Sequence, residues 1–124
     1  AVSSGAEARI LGRWGERLVA EDLRSRGWNI AACNFRCRMG EIDIIAENAV
    51  FLIFVEVKLR KNDWFASACE AVTPVKQRRL YAAAQFYLIS HSTELQPRFD
   101  VAEVYAPQGI HTKRPSISYI ENAF

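Results

Sequence analysis

Residues 40–60 read GEIDIIAENAVFLIFVEVKLR, and the fold turns on them. Val50 to Leu59 is almost continuously apolar until Glu56 and rich in Val, Ile and Phe. That composition predicts a central strand buried on both faces. Just before it, Glu41 to Ala46 alternates, with Glu41, Asp43 and Ile45 expected on one face and Ile42, Ile44 and Ala46 on the other. The short link Glu47-Asn48-Ala49 makes an antiparallel hairpin of the two.

Working outward, residues 5–26 carry Ile10, Trp14 and Leu18 at i, i+4 spacing, with Leu11, Val19 and Leu23 widening the apolar arc. This predicts a helix that Ser3 or Ser4 can cap and Gly27 can stop. Gly12 and Gly15 each cost such a helix about 1 kcal/mol against Ala, which suggests close packing against a sheet. A weakly alternating strand follows at Trp28–Phe35. Beyond the hairpin, Asp63–Ala71 is polar and small, a loop or a short helical turn. Thr73-Pro74 starts a second helix running to about Ile89, with Val75, Leu80, Ala83, Ala84, Tyr87 and Leu88 on its apolar face. Arg98–Tyr105 and Ser116–Ile120 read as further strands. The order is αβββαβ with an added strand, an α/β fold whose mixed sheet is flanked by helices.

The chain of 124 residues is 50% hydrophobic and contains seven Phe, three Trp and four Tyr, which excludes a disordered chain. Its length favours one domain over residues 1–124 with a core of its own. The longest apolar run, Ala49–Val55, is far short of the roughly 20 residues of a membrane span. Sixteen Lys and Arg against fourteen Asp and Glu leave +2, too little to name a partner. Cys33, Cys37 and Cys69 have no zinc-knuckle spacing and no secretory signal pattern ahead of them, so reduced thiols in a cytoplasmic protein are expected. His91 and His111 have no Ser or Cys motif beside them.

The chemistry-bearing feature is charge at the end of the most apolar strand. Glu56 and Lys58 share a face, roughly 6.6 Å apart along the strand. Buried charges need each other, a cation or a reactant. A salt bridge alone would explain the pair. Asp43, brought beside Glu56 by the hairpin, adds a second carboxylate and favours a divalent cation, Mg²⁺ or Mn²⁺. Such an ion lowers the pKa of bound water and polarises a phosphoryl oxygen. Lys58 can then orient or deprotonate that water. Glu16 shares a helix stripe with Gly12, Val19 and Leu23, an odd place for a solvated charge, and is a candidate third acid.

The string Gly40-Glu41-Ile42-Asp43-Ile44-Ile45-Ala46, followed by Phe54-Val55-Glu56-Val57-Lys58, resembles the PD-(D/E)xK nuclease core. Nearly end to end, the chain resembles the YraN-type family of small bacterial proteins. Gly12-x-x-Gly15-Glu16, Asn34-x-Arg36, Glu70-Ala71-Val72, Lys76-x-x-Arg79-Leu80, Arg98-Phe99-Asp100-Val101 and Asn122-Ala123-Phe124 carry that likeness. The arrangement is also similar to archaeal Holliday-junction resolvases. The resemblance implies a restriction-endonuclease-like αβββαβ core and hydrolysis of phosphodiester bonds. In it Asp43 and Glu56 match metal ligands, Lys58 the residue that assists the attacking water, and Glu16 the acid that supports the metal. Two departures stand out: Asp43 follows Gly-Glu-Ile rather than proline, and Trp64-Phe65-Ala66-Ser67 has Ala where the family has glycine.

Lys76, Arg78 and Arg79 fall in the first turns of the second helix, where basic side chains oppose the macrodipole. An approaching anion gains from both, so these residues, extended by Arg36, Arg38, Arg60 and Lys61, form an expected phosphate-contacting surface. The expectation is a Mg²⁺-dependent endonuclease acting on DNA, including branched or repair intermediates. Symmetric cutting of two strands is compatible with a homodimer. A non-catalytic nucleic-acid-binding module of the same fold and a protein-interaction domain with a structural acid cluster are the alternatives.

Overall fold

The computed structural model describes residues 4–61 and 72–124. The expected loop at Asp63–Ala71, with Cys69 and the motif residues Trp64–Ser67 and Glu70-Ala71, lies outside the described residues, as does the candidate cap Ser3. Helix α1 spans Ser4–Ser25 and ends in a Schellman motif. Gly27, at φ 94, turns the chain. The N–H groups of Gly27 and Trp28 donate to the carbonyls of Arg24 and Leu23, both at 3.0 Å. Strands β1 (Asn29–Cys37), β2 (Gly40–Glu47) and β3 (Phe51–Arg60) follow. Helix α2 (Pro74–Ser90) has Thr73 as its N-cap, whose Oγ1 accepts from Lys76 N–H at 3.2 Å, with Pro74 in the first turn. Strand β4 (Gln96–Tyr105), a 3₁₀ turn at Gly109–His111 and β5 (Ser116–Ile120) complete the chain. The fold is therefore the expected mixed α/β arrangement in αβββαβ order, its sheet flanked by two helices.

The five strands lie in sequence order in one sheet. All neighbours are antiparallel except β3 and β4, which pair in parallel from Phe51↔Gln96 to Arg60↔Tyr105. A parallel pair requires a crossover, and α2 is carried in that connection. The helices cover opposite faces. On one face Val19, Ala20 and Leu23 of α1 pack on Ile44, Ala46, Ile53, Val55, Ala102 and Val104. On the other, Leu80, Ala83, Ala84 and Tyr87 of α2 pack on Ile42, Ile45, Leu52, Phe54 and Val101. The strict alternation of β3 expected from its sequence is thus present.

Strand β2 departs from expectation. Ile42 joins Ile45 on the α2 face, whereas Ile44 and Ala46 face α1, so the alternation shifts at Asp43. Strand β1 jogs with it. Asn34 adopts φ 54 between the pairs Cys33↔Ile44 and Phe35↔Ile42. Left-handed backbone at an Asn breaks the pleat locally, and both flanking segments keep an apolar side in the core. Two helix positions also differ. Ile10 is 56% exposed and Val75 51%, so the apolar stripes of α1 and α2 each extend one turn past the sheet they pack on.

The motif residues near the C-terminus are architectural. Asp100, 2% exposed, accepts from Arg98 Nε and Nη2 at 2.8 Å each and from Asn122 N–H at 3.0 Å. Ala123 N–H donates to Phe99 at 2.7 Å, and the Phe124 ring packs 5.4 Å from that of Phe99.

The two helix glycines differ in what surrounds them. A Cβ on Gly15 would meet Leu59 Cδ2 at 3.0 Å, whereas one on Gly12 would meet nothing within 4 Å. Close packing therefore accounts for Gly15 and not for Gly12. Gly12→Ala is expected to stabilise the protein by about 0.5–1 kcal/mol, raising the thermal midpoint by a few degrees, through helix propensity alone. Gly15→Ala, which forces Leu59 aside, is expected to melt below Gly12→Ala in the same scan.

Candidate active site

The hairpin register brings the expected acids together. Strands β2 and β3 pair through Glu47↔Leu52, Ala46↔Ile53, Ile45↔Phe54 and Ile44↔Val55. One residue further, Asp43 and Glu56 come alongside. There the ladder passes to a side chain: Val57 N–H donates to Asp43 Oδ2 at 2.8 Å. Asp43 thereby satisfies a strand N–H with its carboxylate. Glu56, on the α2 face of β3, is only 5% exposed. Lys58 Nζ lies 3.5 Å from Glu56 Oε1, and Lys76 Nζ, from the first turn of α2, ion-pairs with the same oxygen.

Crowding of acids sets the protonation of the group. Asp43 is pushed up to about 7, by burial first and then by the negative field of Glu56; the Val57 hydrogen bond works the other way. Burial lowers Lys58, with Glu56 partly opposing the shift. Burial also disfavours the charge on Lys76, but its hydrogen bond and ion pair with Glu56 prevail and hold it above the ordinary value. Glu16 approaches from α1, across the sheet. Burial raises it, against a hydrogen bond from Asn34 and the positive charge of Arg13, and Glu41 and Glu56 raise it further. Its Oε2 is buried with no hydrogen-bond partner among the described residues.

A cavity of about 480 Å³ on the α2 side is lined by Asp43, Glu56, Lys76, Arg79, Thr73 and Gly40. A second, of about 340 Å³ on the α1 side, is lined in part by Glu16, Asn34, Arg36 and Asp43. Asp43 is thus reached from both sides. Among the described residues, no three His, Cys, Asp or Glu side chains converge closely enough to enclose a metal by themselves. The donor set nevertheless fits Mg²⁺, which takes hard oxygen ligands and commonly one or two carboxylates, leaving its other positions to water and substrate. Asp43 and Glu56 are the carboxylates able to hold it, and Glu16, with its unpartnered buried oxygen, is a further acid within electrostatic reach of both.

Of the expected basic surface, Arg38, Lys61, Arg78 and Arg79 are exposed, with Arg79 at the mouth of the larger cavity. Arg36 is exposed and sits 3.5 Å from Glu41. Arg60 is engaged elsewhere: its Nε donates to buried Glu103 at 3.2 Å, while Tyr105 OH donates to the other oxygen at 2.6 Å. Lys76 lies inside the acid cluster rather than on an outer rim. The signal for it was present in the sequence, since a lysine in the first turn of a helix has no local reason to be there. Asn34, which holds Glu16, gave only the motif spacing Asn34-x-Arg36.

The family described as "Uncharacterised protein family UPF0102" matches residues 15–104, a span containing Glu16, Asp43, Glu56, Lys58 and Lys76. A UPF0102 protein of Symbiobacterium thermophilum is 44% identical over 119 residues, covering 94% of this chain and 98% of the relative. One from Alkaliphilus metalliredigens is 40% identical over 118 residues, covering 94% and 99%. One from Clostridium botulinum is 38% identical over 116 residues, covering 92% and 93%.

The raised Asp43 gives a signed expectation for stability. The unfolded chain ionises this group near 3.8 and the folded chain near 7, so between those values the folded state binds more protons and stability falls as pH rises. The loss is complete above about 7. Asp43→Asn keeps an acceptor for Val57 and removes the titration. In metal-free buffer its melting temperature is expected to exceed that of the wild type at pH 8 and to show a flatter profile between pH 4 and 7. A wild-type profile parallel to that of the variant would show that Asp43 carries no such burden.

Proposed function

The chain belongs to the UPF0102 family, and on that footing we propose that it is a Mg²⁺-dependent nuclease hydrolysing phosphodiester bonds of DNA. The observation that carries this reading is the convergence of Asp43 and Glu56 at the end of a buried hairpin, with Lys58 on the same strand face as Glu56. Asp43 and Glu56 would hold the cation, and Glu16 would support it from α1. When bound, the ion supplies Lewis-acid polarisation of a phosphoryl oxygen and a more acidic water.

The chain's own residues do the rest. Lys58 Nζ, whose charged form burial disfavours, is suited to take a proton from the attacking water or to place that water beside the phosphorus. Lys76 neutralises Glu56 and, being at the α2 N-terminus, stands where a phosphate gains from both its charge and the helix end. Arg79 extends this positive field to the cavity mouth. Such contacts position a backbone and read no bases.

A second reading is favoured by the Lys76–Glu56 ion pair, which already balances one of the acids. In it the chain is a nucleic-acid-binding module of the same fold without catalysis, and DNA binding persists in chelator with no product under any divalent ion.

Titrating Mg²⁺ or Mn²⁺ into the wild type is expected to raise its melting temperature, as binding to the folded state alone must. Asp43→Asn and Glu56→Gln are expected to lose that shift together with cleavage of labelled DNA. Lys58→Met is expected to keep the metal-induced shift while kcat falls by about a hundredfold or more. Undiminished cleavage by the two acid variants would assign the activity to another site or a contaminant.

A further inference from the structure

A line of arginines on α1 runs beside the acid cluster, and one of them, Arg13, acts on Glu16 through its charge. Arg9, Arg13 and Arg17 recur at i, i+4 spacing on one exposed face, and none of them is ion-paired among the described residues. Like charges at this spacing repel one another, offset in part by Glu16 three residues after Arg13 and Glu21 four after Arg17, and Arg9 has no acid three or four residues after it. Apolar surface is interleaved with the charge. Trp14 packs against the core beneath α1 and, with Ile10 (56% exposed) and Ile110 (42%), lines a groove of about 420 Å³ whose other walls are the three arginines. The neighbouring cavity shares Arg9 and Arg13 with this groove and reaches Glu16 and Asp43 past Gly12. Gly12 borders open space on that side, where a Cβ would meet nothing within 4 Å.

We infer that a nucleic-acid strand with unpaired bases lies along α1, its phosphates on Arg9, Arg13 and Arg17 and one base stacked on Trp14, and leads from there to Asp43. This deepens the nuclease reading and rests on it. Successive arginines advance about 6 Å along the helix, one turn at a time, a step comparable to the phosphate spacing of an extended single strand. Guanidinium groups alternating with an aromatic ring are what sequence-independent binding of single strands uses, the charge following the backbone and the ring accepting any base. A paired duplex keeps its bases stacked on one another and leaves Trp14 and Ile10 bare. The substrate class is therefore DNA with a single-stranded segment, such as a flap, gap or splayed branch.

The test is binding in EDTA, read by fluorescence anisotropy with a labelled oligothymidylate and a blunt duplex of matching length over a range of salt. Arg9→Ala/Arg17→Ala is expected to weaken single-strand binding about tenfold or more and to lower the log K against log salt slope by about 1.4, two contacts at about 0.7 each. Trp14→Leu is expected to lose about tenfold on the single strand and nothing on the duplex, and Trp14→Phe, which keeps a ring against the core, to restore the difference. Wild-type affinity and slope in the double arginine variant would overturn the inference. So would equal binding of duplex and single strand, or competition by polyglutamate as effective as by oligothymidylate, which would make the ridge a surface for acidic protein. Metal is absent throughout, so ridge variants that bind normally sink this inference alone, and an intact ridge on a chain that never cleaves sinks the nuclease reading alone.

Discussion

The hydrogen bond from Val57 N–H to Asp43 is the constraint on which the site depends. A hairpin ordinarily continues its ladder backbone to backbone. Here the last backbone pair is Ile44↔Val55, and a carboxylate takes the next donor. A hydrogen bond to a charged acceptor contributes about 1.5–3 kcal/mol, yet Asp43 still rises to about 7 because burial and Glu56 together outweigh it. The ladder thus holds an acid in place next to another acid. That is an unfavourable pairing in the protein alone and a favourable one around a cation.

The sheet separates two apolar layers, and Asp43 stands where it can be reached from either. Glu16 comes from α1, and Lys76 comes from α2 through Glu56. Each helix therefore does more than cover a face. Gly15 allows α1 to sit against Leu59, which brings Glu16 one residue later toward the acids. The Thr73-Pro74 start fixes the first turn of α2, which sets Lys76 over Glu56.

Comparison of two buried charge groups separates architecture from chemistry. Asp100 has two contacts from Arg98 and one from a backbone N–H, and Arg98 in turn lies 4.5 Å from the centre of the Phe51 ring. Those groups are saturated and close off the β4–β5 side of the core. Around Asp43 the balance is different: three acids, an oxygen of Glu16 without a partner, and lysines whose proton affinities are shifted in opposite directions. Incompletely compensated charge beside a cavity is the arrangement that reactive sites require and stable cores avoid.

Local sequence determined the elements and the faces of β3, because two rows of apolar side chains ending at Glu56 and Lys58 admit one alternation. It also brought Asp43 and Glu56 near each other through a short hairpin, but the link is residues 48–50 rather than the expected Glu47-Asn48-Ala49, and it is the pairing Glu47↔Leu52 that carries the register to the two acids. The shift of β2 at Asp43 was not legible there: it depends on Asn34 in the neighbouring strand, and pairing between strands is a tertiary fact. For the same reason local sequence leaves Arg60 a free cation, whereas in the fold it pairs with Glu103, far along the chain. Lys76 read as a rim residue because only the crossover back over the sheet brings the start of α2 onto Glu56. Periodicity reports which side of its own element a residue occupies; what it meets there is decided by how the elements pack.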